Sequence, residues 1–206
     1  MLIAIAGSQG SGKTRLLSAL SGTNVYHVER KTSRSILSDW GVSLSQVNND
    51  YDLTIKFQDE IFKRKLQDDL FGDRDAQADI KQRTSYLPKT QEFVVFTERT
   101  LIDLLVYSTV TLGKDNQYSD WLDQYAGNCI RATVDTYDHV FYLKGGLFKV
   151  EADGTRGHNQ YYSQMVDAAM LSFYKAHIPY EQLTVITTAD IDERVDIVNN
   201  RIKLLS

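Results

Sequence analysis

Residues 2–6, Leu-Ile-Ala-Ile-Ala, run directly into Gly7-Ser-Gln-Gly-Ser-Gly12-Lys13-Thr14, and the helical pattern Arg15-Leu-Leu-Ser-Ala-Leu20 follows. A buried strand, a loop of the form G-x-x-x-x-G-K-[ST] and a helix in this order restrict the chain to a layered α/β fold with an anion site at a strand end. The spacing has a chemical reason. Glycines at 7, 10 and 12 allow backbone conformations that a Cβ resists, so that successive N–H groups turn inward around a phosphate. The positive end of the following helix adds to that field. Lys13 then reaches the β/γ-phosphates and the Thr14 hydroxyl meets Mg²⁺. The expected ligand is a nucleoside triphosphate, held by Gln9, Gly10, Ser11, Gly12, Lys13 and Thr14.

A chain of 206 residues is expected to form one domain with a three-layer core. Its 23 Lys and Arg against 27 Asp and Glu exclude a generally cationic surface for gripping long nucleic acid, while leaving room for a local basic patch. Cys129 is the single cysteine, so no intrachain disulfide forms, as suits a reducing cytoplasm. The apolar runs fall short of the roughly 20 residues that span a bilayer. With a strand expected from residue 2, no signal peptide is expected.

Strand and helix patterns alternate along the rest of the chain. Val25–Val28, Phe93–Phe96, His139–Leu143 and Leu183–Ile186 read as four further strands. Leu53, Phe57, Ile61 and Leu66 recur at helical spacing. Thr100 and Asp103 resemble a capping pair closed by Gly113, Ser119 opens a helix through Trp121, Tyr125 and Ile130, and Asp190 caps the last one. A helix from about Tyr161 to Ala176 carries Met165, Ala169 and Phe173. Residues 72–92 are polar and read as an insertion or flap, and 144–160 as a lid loop beginning with paired glycines. The whole predicts a three-layer, mainly parallel five-stranded sheet with helices on both faces, plus a lid segment.

The strand ends narrow the chemistry, because open α/β sheets bind ligands at the carboxyl ends of their strands. Glu29 follows the second strand, Glu98-Arg99 ends the third, and Lys144 opens the loop after the fourth. A carboxylate accepts the proton of an attacking hydroxyl or helps hold Mg²⁺. Arginines hold an anionic substrate and neutralise the transferring phosphoryl group. No N-K-x-D guanine-reading segment is present, and where a remodelling ATPase carries four apolar residues and Asp-Glu the chain reads VVFTER.

At these residues the sequence resembles the P-loop nucleoside and nucleotide kinase superfamily. Glu98-Arg99-Thr100, with Asp103 and Tyr107 one and two turns on, is similar to the E-R-S segment of deoxynucleoside kinases and the D-R-Y segment of thymidylate kinases. Asp153-Gly154-Thr155-Arg156 resembles the D-G-x-R lid of ribosylnicotinamide kinases and their AAA-like relatives, which also show counterparts of Glu29, Arg34 and Gln58. The resemblance implies an ATP- and Mg²⁺-dependent phosphotransferase of a kind frequent in large bacteriophages. Lys13, Glu29, Glu98 and Arg156 are its expected catalytic residues. Glu29, Arg34, Glu98 and Arg99 are expected at the substrate, and Thr14 and Glu98 at the metal.

The acceptor stays open. A nucleoside or nucleoside monophosphate, most plausibly a deoxynucleotide, is the first reading. A hydroxymethylated pyrimidine in DNA is the alternative, with Arg74, Lys81, Arg83, Lys89, Lys144 and Lys149 as its phosphate track. A nucleotide-dependent switch or regulatory ATPase is the reading of another class. The expected partner is therefore a small-molecule acceptor, with DNA as the alternative, a homodimer left open and no membrane. Tyr161 and Tyr162 read as core residues at helical spacing or as base-stacking residues, and Cys129 as core. His158 reads as a solvated loop residue.

Overall fold

Leu2–Ala6 (β1), buried at all five positions, is the middle strand of a five-stranded, wholly parallel sheet. The computed structural model describes residues 1–20, 25–28, 33–83, 93–148 and 160–205. The strand order is β2-β3-β1-β4-β5, where β2 is Val25–His27, β3 Val94–Glu98, β4 His139–Leu143 and β5 Leu183–Ile186. Ile3 stands in register with Phe96 on one side and His139 on the other. Near-continuous apolar runs are what a strand covered on both faces requires.

Helix α1 (Lys13–Ala19) and helix α8 (Ile191–Leu205) cover one face. There Leu16, Leu20 and Val198 meet Ile3, Ile5, Phe96, Phe141 and Ile186. Helices α5 (Leu101–Leu112) and α7 (Gln160–His177) cover the other, packing Ile102, Val106, Val166, Met170 and Tyr174 on Ala4, Ala6, Val95, Val140 and Tyr142. The helices that follow β1 and β3 thus leave on opposite faces. This opens a crevice at the carboxyl ends of the two strands, the switch point at which such sheets take ligands.

Outside this frame lie α2 (Ser33–Trp40), α3 (Leu44–Asn48), α4 (Tyr51–Arg83) and α6 (Ser119–Thr136). Helix α6 buries Tyr125 and Cys129 against Leu101 and Leu105 of α5, and burial pushes the Cys129 thiol up to about 12. Two capping boxes set helix starts. Thr100 and Asp103 open α5 as expected, and Ser43 with Gln46 opens α3.

The structure corrects three expectations. Residues 72–83 are not the start of an excursion: they continue α4, because acidic, basic, Gln and Ala residues without proline sustain a helix. Gly72 is tolerated there because α4 passes close to β2, so that a Cβ would lie 2.8 Å from the Val28 methyls. The face that α7 turns to the sheet is offset by one residue. Val166, Met170 and Tyr174 are buried and Met165 is half exposed, since both rows fit helical spacing but only the row through Val166 brings the Tyr174 hydroxyl to Thr100. Tyr161 and Tyr162, at the start of α7, are exposed rather than core.

A charged cluster sits beneath β3. Lys65 and Asp69 of α4 are paired inside the protein, with Lys65 Nζ donating to Thr97 Oγ1 at 2.9 Å and Thr97 Oγ1 to Asp69 Oδ1 at 2.7 Å. The Tyr137 hydroxyl also donates to Asp69, and burial followed by that carboxylate pushes its pKa well up. Every member is satisfied, the condition under which buried charge is tolerated.

Candidate active site

The loop between β1 and α1 takes the form its glycines predict. Gly7 has φ +137° and a Cβ there would lie 2.5 Å from the Leu143 carbonyl oxygen. Gly12, at φ +91°, caps α1 in the left-handed region. Lys13 Nζ folds back over the loop and donates to Gly7 O at 3.0 Å and Ser8 O at 2.8 Å.

Two buried aspartates hold the loop from behind. Asp103 Oδ1 accepts from Gly7 N at 3.4 Å, while its other oxygen accepts from Thr100 N at 2.8 Å and from the Tyr174 hydroxyl at 3.3 Å. Asp167 Oδ1 accepts from Ser8 Oγ at 3.0 Å, Tyr142 OH at 2.7 Å and Gly145 N at 2.7 Å. The first ties the loop to α5, the second to α7 and to the chain leaving β4. Burial, then Asp167, raises the Tyr142 pKa, so that this hydroxyl stays a donor.

The cleft in front of the loop has a volume of about 240 Å³ and is lined by Gln9, Gly10, Gly12, Lys13, Thr14 and Arg15 together with Glu98, Arg99 and Phe148. Thr14 Oγ1 donates to Glu98 Oε2 at 3.2 Å. A hydroxyl and a carboxylate oxygen side by side at the mouth of a phosphate loop fit Mg²⁺. That ion takes one or two protein oxygens and completes its shell with phosphates and water. Among the described residues no cluster of three or more His, Cys, Asp or Glu forms a cage for a metal without such help.

Arg99 leaves β3 in an unusual way. Its N–H extends the ladder to Ile5 O at 2.9 Å, and its φ of +69° then turns the chain into the Thr100 cap. The guanidinium lies 5.3 Å from the centre of the Tyr107 ring. Burial pulls its pKa down, but Asp103, Tyr107 and Glu98 outweigh this and the net shift is upward. The arginine is therefore fixed, charged and turned to the cleft beside Glu98.

Gln9, Gly10, Gly12, Lys13, Thr14, Glu98 and Arg99 line one cleft, and Ser11 is buried within the loop. Arg34 stands on the exposed side of α2 and is not among the lining residues. Glu29, Arg156 and His158 lie outside the described residues. Gln58 joins α4 to α5, accepting from Ser108 Oγ at 3.0 Å. Phe148, Asp167 and Arg194 were not anticipated. The last two had a signal: each is a charged residue on the buried stripe of its helix, Asp167 with Met170 and Tyr174, Arg194 with Ile191 and Val198.

The sequence profile of the AAA domain family matches residues 2–194. The chain belongs to the AAA domain family. No curated protein sequence matches it. Its fold is that of P-loop kinases of known structure. A deoxyadenosine kinase from M. mycoides with bound dATP superposes with a TM-score of 0.62 at 17% identity, over 98% of this chain and all of that one (100%). A NadR protein in complex with NR gives a TM-score of 0.62 at 11% identity, covering 98% of this chain. This family member spans about half, 51%, of that longer NadR chain. A thymidylate kinase from Candida albicans gives 0.52 at 14% identity, over 98% of this chain and 91% of its own. Among the described residues of this AAA domain no helix is long and apolar enough to cross a membrane.

Proposed function

We propose that the protein is an ATP- and Mg²⁺-dependent phosphotransferase acting on a nucleoside or nucleoside monophosphate, with a deoxynucleotide as the favoured acceptor. The observation that carries this reading is that Glu98 and Arg99 line the same cleft as the phosphate loop, with Glu98 accepting from the Thr14 hydroxyl. A switch or ATPase also holds Mg²⁺ between the loop hydroxyl and a strand-end carboxylate. The fixed Arg99 guanidinium beside that pair is the feature that suits in-line transfer to a second, anionic substrate.

In this reading the loop N–H groups hold the donor phosphates, and Lys13 exchanges its contacts with Gly7 and Ser8 for β/γ-phosphate oxygens. Thr14 and Glu98 hold Mg²⁺, which when bound neutralises the charge that develops between the β- and γ-oxygens. Arg99 orients the acceptor, held rigid by Tyr107 and Asp103. Glu29 takes the acceptor proton or positions the acceptor with Arg34, and Arg156 joins Lys13 in offsetting charge on the moving phosphoryl group. The deoxyadenosine kinase with dATP and the NadR protein with NR support an acceptor built on a nucleoside.

The test compares Glu98→Gln and Arg99→Ala with the unaltered protein. Both are expected to lower acceptor phosphorylation by about a hundredfold while leaving equilibrium ATP binding within a few-fold. Unchanged phosphorylation kinetics in both variants contradicts the assignment.

A further inference from the structure

Arg194, on the first turn of α8, is 1% exposed and stands directly behind the phosphate loop. Its Nη1 donates to Ser11 O at 2.7 Å and its Nε to Thr188 O at 2.8 Å. The guanidinium carbon lies over the Phe148 ring, 5.1 Å from its centre. A Cβ on Gly12 would lie 2.8 Å from Nη1, so loop and arginine are in close contact. Both hydrogen bonds end on neutral carbonyl oxygens, and among the described residues the buried Nη2 has no partner. Among the described residues no carboxylate lies within ion-pair distance of it. Glu98, Asp103 and Asp167, the acidic residues around the loop, are engaged by Thr14, Gly7 and Ser8 respectively.

A buried cation without a counter-charge is costly, and arginine does not relieve the cost by losing its proton. Two bonds to carbonyls are a poor return for that cost if their only purpose is to pin α8 to the loop, since a neutral donor would serve. We propose that Arg194 supplies positive charge to the donor site from behind the loop, and that its missing counter-charge is the polyphosphate chain of the nucleotide held on the loop's other side. The inference rests on reading this cleft as a triphosphate site. Burial and the neighbouring Arg15 both pull the Arg194 pKa down, the direction expected of a cation still short of an anion.

Arg194 also acts on the loop itself as a positioning residue. In a trans peptide the C=O and the following N–H point opposite ways, and the described chain has no cis bonds. By drawing the Ser11 carbonyl toward α8, the guanidinium turns the Gly12 N–H away from itself, on the side where a phosphate is bound.

Charge and hydrogen bonding separate in two variants. Arg194→Lys keeps the cation; Arg194→Gln keeps one donor for Ser11 O and removes the charge. Dissociation constants for ATP and for inorganic tripolyphosphate, measured by calorimetry with Mg²⁺, are expected to stay within about threefold in R194K and to weaken at least about tenfold in R194Q, equally for both ligands. The melting temperature without ligand is expected to change less in R194Q than the increment that ATP adds. A merely structural arginine gives the reverse: a large loss of unliganded stability in R194Q and unaltered affinity in whatever remains folded. Affinity retained in R194Q, or lost for ATP but not for tripolyphosphate, overturns the inference alone. Absence of ATP and tripolyphosphate binding in the unaltered protein overturns the donor-site reading and this inference with it.

Discussion

Arg99 joins a backbone cost to a side-chain task. A non-glycine residue at φ +69° sits in the left-handed region, at a cost of about 1–2 kcal/mol. The position is held by the β1–β3 ladder before it and by the Thr100 cap after it. Arg99→Ala keeps the cost and loses the guanidinium, whereas Arg99→Gly loses both. Urea unfolding is therefore expected to find R99G more stable than R99A by about 1 kcal/mol, with both equally poor in acceptor phosphorylation. Equal stability of the two denies the strain; activity restored in R99G denies the role of the guanidinium. The motif Glu98-Arg99 was legible because two charges at a strand end are conspicuous. The turn in φ was not, since nothing in the side chain of an arginine announces it. For Asp167 and Arg194 the sequence shows a charge on an apolar helix stripe but not its partner, since only the folded chain brings them to Ser8 and Ser11, 159 and 183 positions away.

Elements in this fold carry the loop as a suspended part. Helix α5 holds it through Asp103, whose carboxylate serves the Gly7 N–H and the Thr100 cap together. Asp103→Ala leaves both donors unpaired, and is expected to cost about 2–3 kcal/mol in urea unfolding and to raise the KM for ATP. An unchanged KM would separate the cap from the loop. Helix α4 is fixed to β3 by Lys65, Asp69 and Thr97. Lys65→Met strands a buried carboxylate and is expected to cost about 3–5 kcal/mol, much of it regained when Asp69→Leu is added. A double variant no better than the single one contradicts this account of the pairing. The existence of α4 was readable from its apolar spacing as far as Leu66. Its length was not, because Gly72 reads as a break and the polar residues that follow it read the same in a long helix as in a loop. The capping box of α3 was present in the sequence as Ser-x-x-Gln and simply preceded a helix too short to show a period.

At the scale of the whole molecule, five apolar runs separated by helices impose a parallel sheet covered on both faces, which is why strand count and layer structure were legible from the start and the strand order was not. The pH dependence of folding is set in part within that sheet. His139 on β4 is fully buried; burial, then the nearby Arg201, lowers its pKa from 6.5 to about 4. The unfolded chain takes up this proton near pH 6.5 and the native chain only near pH 4, so stability is complete above the first value and falls as the pH drops toward the second. The urea midpoint is expected to decline between pH 7 and 5, and the His139→Gln variant to decline less; parallel declines would remove His139 as the cause. The fold brings Glu98 and Arg99, at the end of β3, into one cleft with the loop that follows β1. The most direct test follows the γ-phosphate: labelled ATP and Mg²⁺ are incubated with the protein and a panel of nucleosides, monophosphates and nicotinamide riboside. The account predicts label on at least one nucleoside-type acceptor, abolished in Lys13→Ala and strongly reduced in Glu98→Gln. Label released only as inorganic phosphate, or not at all, with every acceptor in the panel would contradict it.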